Sequence, residues 1–199
     1  LRNNKPFENV YFTGIVRDNK GRKMSKQLGN SPDPIELIEK YGADSVRIGL
    51  LFSAPAGNDL LFDESLCVQG RNFTNKIWNA FRLFESFKVS NKLKQNDRTL
   101  EAVKWFESKF NLKLNEIDYC FKNFKISESL MIIYKLVWDD FCSVFLEIVK
   151  PKYGEELSEE SSIIIKSYFN KILVLIHPFM PFLSEELFEK INNQDIISE

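Results

Sequence analysis

A single histidine, His177, stands in the 199 residues, so any mechanism that needs two histidines is excluded within this chain. The three cysteines, Cys67, Cys120 and Cys142, are widely spaced and form no CxxC pair. Neither a disulfide framework nor a zinc site is expected from them; they read as small core residues, and a reducing cytoplasm is their natural setting. No apolar run is long and clean enough to span a bilayer: the best candidate, SIIIKSYFNKILVLI, is broken by Lys166, Asn170 and Lys171. No signal-peptide pattern, internal repeat or low-complexity tract is present. A net charge of -1 does not advertise nucleic-acid binding.

What is there is a globular composition, with 44% hydrophobic residues and 18 phenylalanines, enough for one domain or two small ones with a real core. The charge is unevenly spread. Residues 1–30 hold Arg2, Lys5, Arg17, Lys20, Arg22, Lys23 and Lys26 against Glu8 and Asp18. Residues 155–199 hold nine acids against three lysines. The basic end can meet phosphates, and the acidic end, including the run Glu155 to Glu160, is expected to face water. The first residue is Leu and the chain begins mid-pattern, so it reads as a piece of something longer.

Pattern along the chain predicts a short α+β segment followed by an antiparallel helical bundle, mainly α overall. NVYFTGIV (Asn9 to Val16) is β-branched and aromatic, the texture of a strand. The clearest helix follows, with Asp33 as its cap, Pro34 at the first helical position, Glu36 at the capping-box position and Gly42 as its stop. Its apolar face reads as Ile35, Ile38 and Tyr41. ADSVRIGLLFSA is expected to be a second, mostly buried helix ended by Pro55, and PAGNDLLF a loop. Leu66, Phe73, Ile77, Phe81 and Phe84 then form one stripe of a long helix from about Asp63 to Lys88. After a polar linker, VSNKLKQNDRT, a helix is expected over Leu100 to Phe121. Another carries Leu130, Ile133, Val137, Phe141, Val144 and Ile148 and ends before Pro151. KYGEELSEE reads as a loop. A helix with Ile165, Tyr168, Phe169, Ile172 and Ile176 stops at His177-Pro178, and Pro181 opens a last one through Ile191. His177 is expected to be a helix-end residue bonded to backbone. The boundary between the first segment and the bundle falls at 60/61.

Two constellations carry chemistry. GRKMSKQLGN (Gly21 to Asn30) places three cations, a methionine and a serine between two glycines close behind the expected strand. Lysines held there can meet a polyanion, or the stretch can be a solvated basic turn. On the long helix after GNDLLF, Arg71, Asn75, Asn79 and Arg82 step by four, four and three and share one polar stripe, with Trp78 adjoining. Cations, amides and an aromatic ring can hold phosphates and stack bases, or can simply bond neighbouring loops and core.

KMSKQ (Lys23 to Gln27) resembles the KMSKS signature of class I aminoacyl-tRNA synthetases, and LGNSPDPIELIEKYGADSVR resembles the stretch that follows it in the valyl, isoleucyl and leucyl enzymes. VYFTGIVRD before it, and GNDLLFD and GRNFTNKIWNAFR after it, look specifically like the valyl family. HPFMPFLSEELFEKI resembles the end of that family's anticodon-binding bundle. The resemblance spans nearly the whole chain. It implies ATP-dependent attachment of valine to tRNA, with Lys26 and then Lys23 as catalytic cations at ATP, Ser25 with them at the ATP site and holding the loop by a local hydrogen bond, and Met24 packing beneath. The polar stripe of Arg71, Asn75, Asn79 and Arg82 with Trp78 is read as the tRNA contact; no metal site is expected, Mg being bound mostly by parts outside this chain, and the protein is expected to be a cytoplasmic monomer. There are departures. Gln27 replaces the usual serine, and the HIGH signature, nucleotide-binding half, editing domain and C-terminal coiled coil are missing. The chain alone is therefore expected not to activate valine. The alternatives are a stand-alone tRNA-binding module, a helical interaction domain that only borrows the loop, and the equivalent piece of an isoleucyl or leucyl enzyme.

Overall fold

The computed structural model describes residues 5–52, 57–192 and 197. They form a mostly helical structure in the expected order. Strand β1 (Val16–Arg17) leads through the basic loop to helices α1 (Pro34–Tyr41) and α2 (Ala43–Phe52). Strand β2 (Leu60–Leu61) precedes the long helix α3 (Glu64–Glu85). Strand β3 (Val89–Ser90) leads to α4 (Asp97–Lys122) and α5 (Ile126–Lys135), which runs through a π-helical stretch, Leu136–Phe145, into α6 (Leu146–Val149). Strand β4 (Leu157–Ser158), α7 (Glu159–Ile176) and α8 (Pro181–Asn192) complete the chain.

Local chemistry explains the helix starts. The Asp33 carboxylate accepts from Ile35 N, Asp63 from Ser65 N, Asn96 from Thr99 N and Ser158 from Ser161 N, so each helix opens on a short polar side chain that satisfies an orphan amide. Capped by Asn96, α4 begins at Asp97, three residues before the expected Leu100. The α1 face also differs from expectation: Leu37 and Tyr41 are buried, whereas Ile35 and Ile38 are exposed. Helix α1 packs on α2 and α3 through Leu37 and Tyr41, which join Val46 and Cys67 in one buried cluster.

The expected strand over Asn9 to Val16 is reduced to its end. Val16 and Arg17 pair in parallel with Leu60 and Leu61, inside the stretch expected to be a loop. A strand exists only where a partner backbone lies alongside, and here the partner is two residues long. The same holds where linker and loop were expected, since Val89–Ser90 pairs in parallel with Leu157–Ser158. Pro55 lies outside the described residues.

Two buried clusters share α2. Leu37, Tyr41, Val46, Leu60, Phe62 and Cys67 form the smaller one. The larger fills the bundle, where the Phe106 ring meets those of Phe141, Phe145 and Tyr168 at 5.5, 4.8 and 5.0 Å. Phe169 closes on Phe81 and Phe84. All three cysteines are free and buried. Gly70 permits the α2–α3 crossing: a Cβ there would meet the Ser45 carbonyl oxygen at 2.1 Å.

The π stretch corrects one more expectation. A regular α-helix puts Val144 and Ile148 on the core stripe, but Val144 is exposed and Phe145 and Val149 are buried. Within the stretch the amide of Leu146 donates to the Phe141 carbonyl five residues back, which widens the turn and moves the inward face on by one residue.

Helix α2 also grips the chain's far end. Buried Asp44 accepts from Leu183 N at 2.7 Å and from Phe182 N at 3.4 Å, capping α8, while Arg47 donates to the Pro178 and Phe179 carbonyls at 3.2 Å each. Replacing Asp44 with Ala leaves those amides without their acceptor. It is expected to lower the unfolding free energy by about 2 kcal/mol, read from the urea midpoint at unchanged slope. A midpoint equal to the parent's would show that water serves the cap equally well.

Candidate functional site

The basic loop is built as a hairpin closed by side chains. Asp18 N donates to the Arg22 carbonyl at 2.9 Å and Met24 N to the Val16 carbonyl at 3.1 Å, with Arg17 and Lys23 bridged antiparallel. Gly21 turns the tip at φ 75°, a conformation side chains rarely adopt. A 3-10 turn, Lys26–Leu28, follows. Ser25 caps it by accepting from Leu28 N at 3.2 Å, the local bond expected of it, and Gly29 ends it at φ 62°. Met24 packs against the smaller buried cluster. The loop thus has one apolar foot and a charged crown.

Two side chains that sequence reasoning missed organise this loop. The Asp18 side chain is buried, and its carboxylate accepts from Lys20 N, Arg22 N, Arg22 Nε and Asn30 Nδ2 at 2.9 to 3.0 Å. Asn30 in turn accepts from Ser25 N at 2.9 Å and donates to the Lys23 carbonyl at 3.3 Å. The Asn30 amide, followed by the Arg22 and Lys20 donors, holds the Asp18 carboxyl far below the usual carboxylate range against the opposing effect of burial. A depressed folded-state value means that its stabilisation is complete above the ordinary value of 3.8 and is lost as pH falls below it, so the loop keeps this shape at neutral pH. At the hairpin base, Asp59 accepts from Ile15 N at 2.9 Å and pairs with Arg17, which also donates to the Gly21 carbonyl at 3.1 Å. The signal available in the sequence was weak: an Asp directly after a strand and an Asn directly after the helical-turn glycine, both common in turns of many kinds.

Lys23 and Lys26 are exposed, and no ion pair among the described residues neutralises either. Lys23 and Met24 line a cleft of about 400 Å³ whose other walls include Pro32, Leu37, Val46 and Phe62. Two unpaired ammonium groups on a braced loop, that of Lys23 on the wall of an apolar cleft, suit a ligand with an anionic part and an apolar part.

The second constellation lies on α3. Arg71, Asn75, Asn79 and Arg82 are all exposed and share one face, and no ion pair among the described residues involves either arginine. The Arg71 guanidinium sits 5.4 Å over the Tyr41 ring. Trp78 is half-buried against the main core, 6.1 Å from Phe81, so only part of its ring is available to a partner. His177 is bonded to a side chain and not, as expected, to backbone. Its Nδ1 lies 2.8 Å from the Ser184 hydroxyl, which itself donates to the Met180 carbonyl, so the ring donates and serves the α7–α8 turn. Phe141 is core, as expected, Phe145 is core through the π stretch, and Glu155, Glu156, Glu159 and Glu160 are exposed. Among the described residues no cluster of acids, cysteines and histidine is arranged to hold a metal, and no helix is long and apolar enough to cross a membrane.

The two family models that match this chain include the basic loop and leave out the stripe at residues 71–82. Residues 1–63 match the model of tRNA synthetases class I (I, L, M and V), and residues 103–199 match that of the anticodon-binding domain of tRNA ligase. The chain is 52% identical over 193 residues to a valine--tRNA ligase of Christiangramia forsetii, covering 97% of this chain and 22% of that protein. It is 54% identical over 186 residues to one of Bacteroides thetaiotaomicron, covering 94% and 21%. The chain thus spans about a fifth of the length of the curated relatives it matches. A LeuRS–tRNA–LeuAMS complex of Agrobacterium radiobacter shares the fold with a TM-score of 0.72 at 22% identity, over 98% of this chain and 23% of that one. The methionyl-tRNA synthetase of Mycobacterium tuberculosis in complex with methionyl-adenylate does so at 0.68 and 22% identity, over 89% and 37%. By these matches residues 1–63 are related to the class I tRNA synthetases and residues 103–199 to the anticodon-binding domain of tRNA ligases, and the chain as a whole is a homologue of about a fifth of a valine–tRNA ligase.

Proposed function

We propose that the chain is the loop-and-bundle segment of a valine–tRNA ligase, with residues 1–60 ending its catalytic domain and residues 61–199 forming the helical domain that meets tRNA. The observation that carries this is the loop itself: a KMSKQ turn braced by its own side chains, with Lys23 and Lys26 left unpaired and Lys23 lining a cleft. In the reaction, a valine carboxylate oxygen attacks the α-phosphorus of ATP, the bond to the bridging oxygen breaks, and pyrophosphate leaves with that electron pair. Negative charge grows on the equatorial and leaving oxygens, where ammonium groups stabilise it. Lys26 is assigned the larger part and Lys23 the smaller, and Mg would be held mostly by residues outside this chain. The acyl group then passes to tRNA. The protein works as a monomer in the cytoplasm.

The α3 stripe is assigned to tRNA, with Arg71 and Arg82 at phosphates, Asn75 and Asn79 beside them, and the exposed part of Trp78 as a stacking surface. The chain alone is expected to bind tRNA weakly and to show no valine-dependent pyrophosphate exchange. Arg71→Ala with Arg82→Ala is expected to weaken tRNA binding about tenfold and to reduce the slope of log K against log salt by about 2. Glu159→Ala with Glu160→Ala serves as the control on an acidic surface. An arginine double variant that keeps its helical circular dichroism and binds tRNA as the parent does removes the stripe from the interface. A chain with no salt-dependent tRNA affinity is instead a helical interaction domain.

A further inference from the structure

We infer that Asp18 and Asn30 are positioning residues for the basic loop: their contact closes residues 18–30 into one preformed body that presents Lys23 and Lys26 together. The inference rests on the ligase reading of that loop. The Asn30 amide alone touches three separate parts of it: Nδ2 reaches the Asp18 carboxylate at the hairpin turn and the carbonyl of Lys23, and Oδ1 receives the amide of Ser25. The backbone on both sides of Met24 is therefore tied to one side chain. Asp18 gathers the other side through Lys20, Arg22 and Asn30. Bonds to a carboxylate are stronger than those between neutral groups, so this is the firmest point of the ring.

The arrangement decides what each lysine does. Lys23 has its carbonyl fixed by Asn30, and Lys26 follows directly on the amide that Asn30 also fixes. The separation of the two ammonium stems is thereby set before any ligand arrives. Charges placed in advance stabilise a transition state without reorganising at the moment of reaction, whereas a loose loop must order first. Neither Asp18 nor Asn30 touches the ligand; both act through the loop.

Two measurements test this. In the 199-residue chain, Asp18→Ala and Asn30→Ala are each expected to raise tryptic cleavage after Arg22, Lys23 and Lys26 by about fivefold, with the helical signal unchanged, because nicking follows the open population. In the full-length protein, each is expected to lower kcat for valine-dependent pyrophosphate exchange about tenfold with KM for ATP held within about threefold, the double variant being no worse than the slower single. Asp18→Asn keeps an oxygen for the Lys20 and Arg22 amides but sets an NH2 against the Asn30 Nδ2 and Arg22 Nε donors, so it is expected to lower kcat with the helical signal unchanged. Unchanged nicking, or faster nicking with kcat intact, overturns the inference. Should the alanine variants lose their helical signal, Asp18→Asn decides, and a kcat equal to the parent's overturns the inference as well. A full-length parent without valine-dependent exchange overturns the ligase reading instead, while the nicking result still judges the contact.

Discussion

Full-length protein carrying Lys26→Ala is expected to activate valine about 10² to 10³ times more slowly than the parent, a loss of roughly 3 to 4 kcal/mol of transition-state stabilisation. Lys26 is exposed, starts a 3-10 turn capped by Ser25, and has no carboxylate partner among the described residues, so its charge is free for a ligand. That charge matters most where phosphate oxygens gain charge in the reaction, so kcat falls while KM for valine stays near the parent's. Lys23→Ala is expected to act in the same direction with a smaller loss. Lys26→Arg does not simply restore the rate, because a planar guanidinium on a different stem reaches another point. Pyrophosphate exchange at varied valine and ATP gives both constants. An unchanged turnover with only a raised KM for valine contradicts the role given to Lys26.

Truncation of one ring in the bundle has the largest expected effect on stability. Phe106 is fully buried and faces Phe141, Phe145 and Tyr168, with Phe110 6.0 Å away on its own helix. Phe106→Ala removes the ring that joins α4 to the π stretch and to α7, and rigid neighbours cannot close the gap. A loss of about 3 to 5 kcal/mol is expected, a large part of a domain's stability. Guanidinium unfolding of the 199-residue chain measures it. Leu112→Ala on the same helix, where the side chain is 55% exposed, is expected to change the midpoint little. Equal effects at the two positions would mean that α4 does not pack as described.

Features that depend on neighbouring residues were legible in the sequence. Asp33-Pro34 and Gly42 frame α1 because caps act within one turn, and the stop of α7 at His177-Pro178 is equally local. The α3 stripe was legible because a regular helix repeats its face, and Phe73, Ile77 and Phe84 are buried as that period requires. Features set by distant partners were not. Strands of two residues carry no pattern of their own, and β3 finds β4 about 68 residues away. The π stretch is invisible to a period of 3.6, which is why Val144 was placed inside. At the loop, KMSKQ could be read as a motif, but the bond from Asp18 to Asn30 joins side chains twelve residues apart across a turn whose shape it helps to make.

The grip of α2 on the far end of the chain bears on synthesis. Asp44 finds its partners Phe182 and Leu183 after 138 and 139 further residues, and Arg47 finds Phe179 after 132. A ribosome adds residues one at a time, at roughly 5 to 20 per second, so a buried carboxylate waits roughly 7 to 28 s for the amides that satisfy it. During that interval the first helices exist beside a bundle that lacks its last wall. The side of α2 that meets α8 stays open to water and to other chains, while α3 already covers its other side. Contacts of such long sequence separation close late, since the loop entropy must be met before they form. The nascent protein is therefore most exposed to misassembly just before residue 183 emerges, and a premature stop anywhere in α7 releases a chain whose earliest helices have no cap to hold.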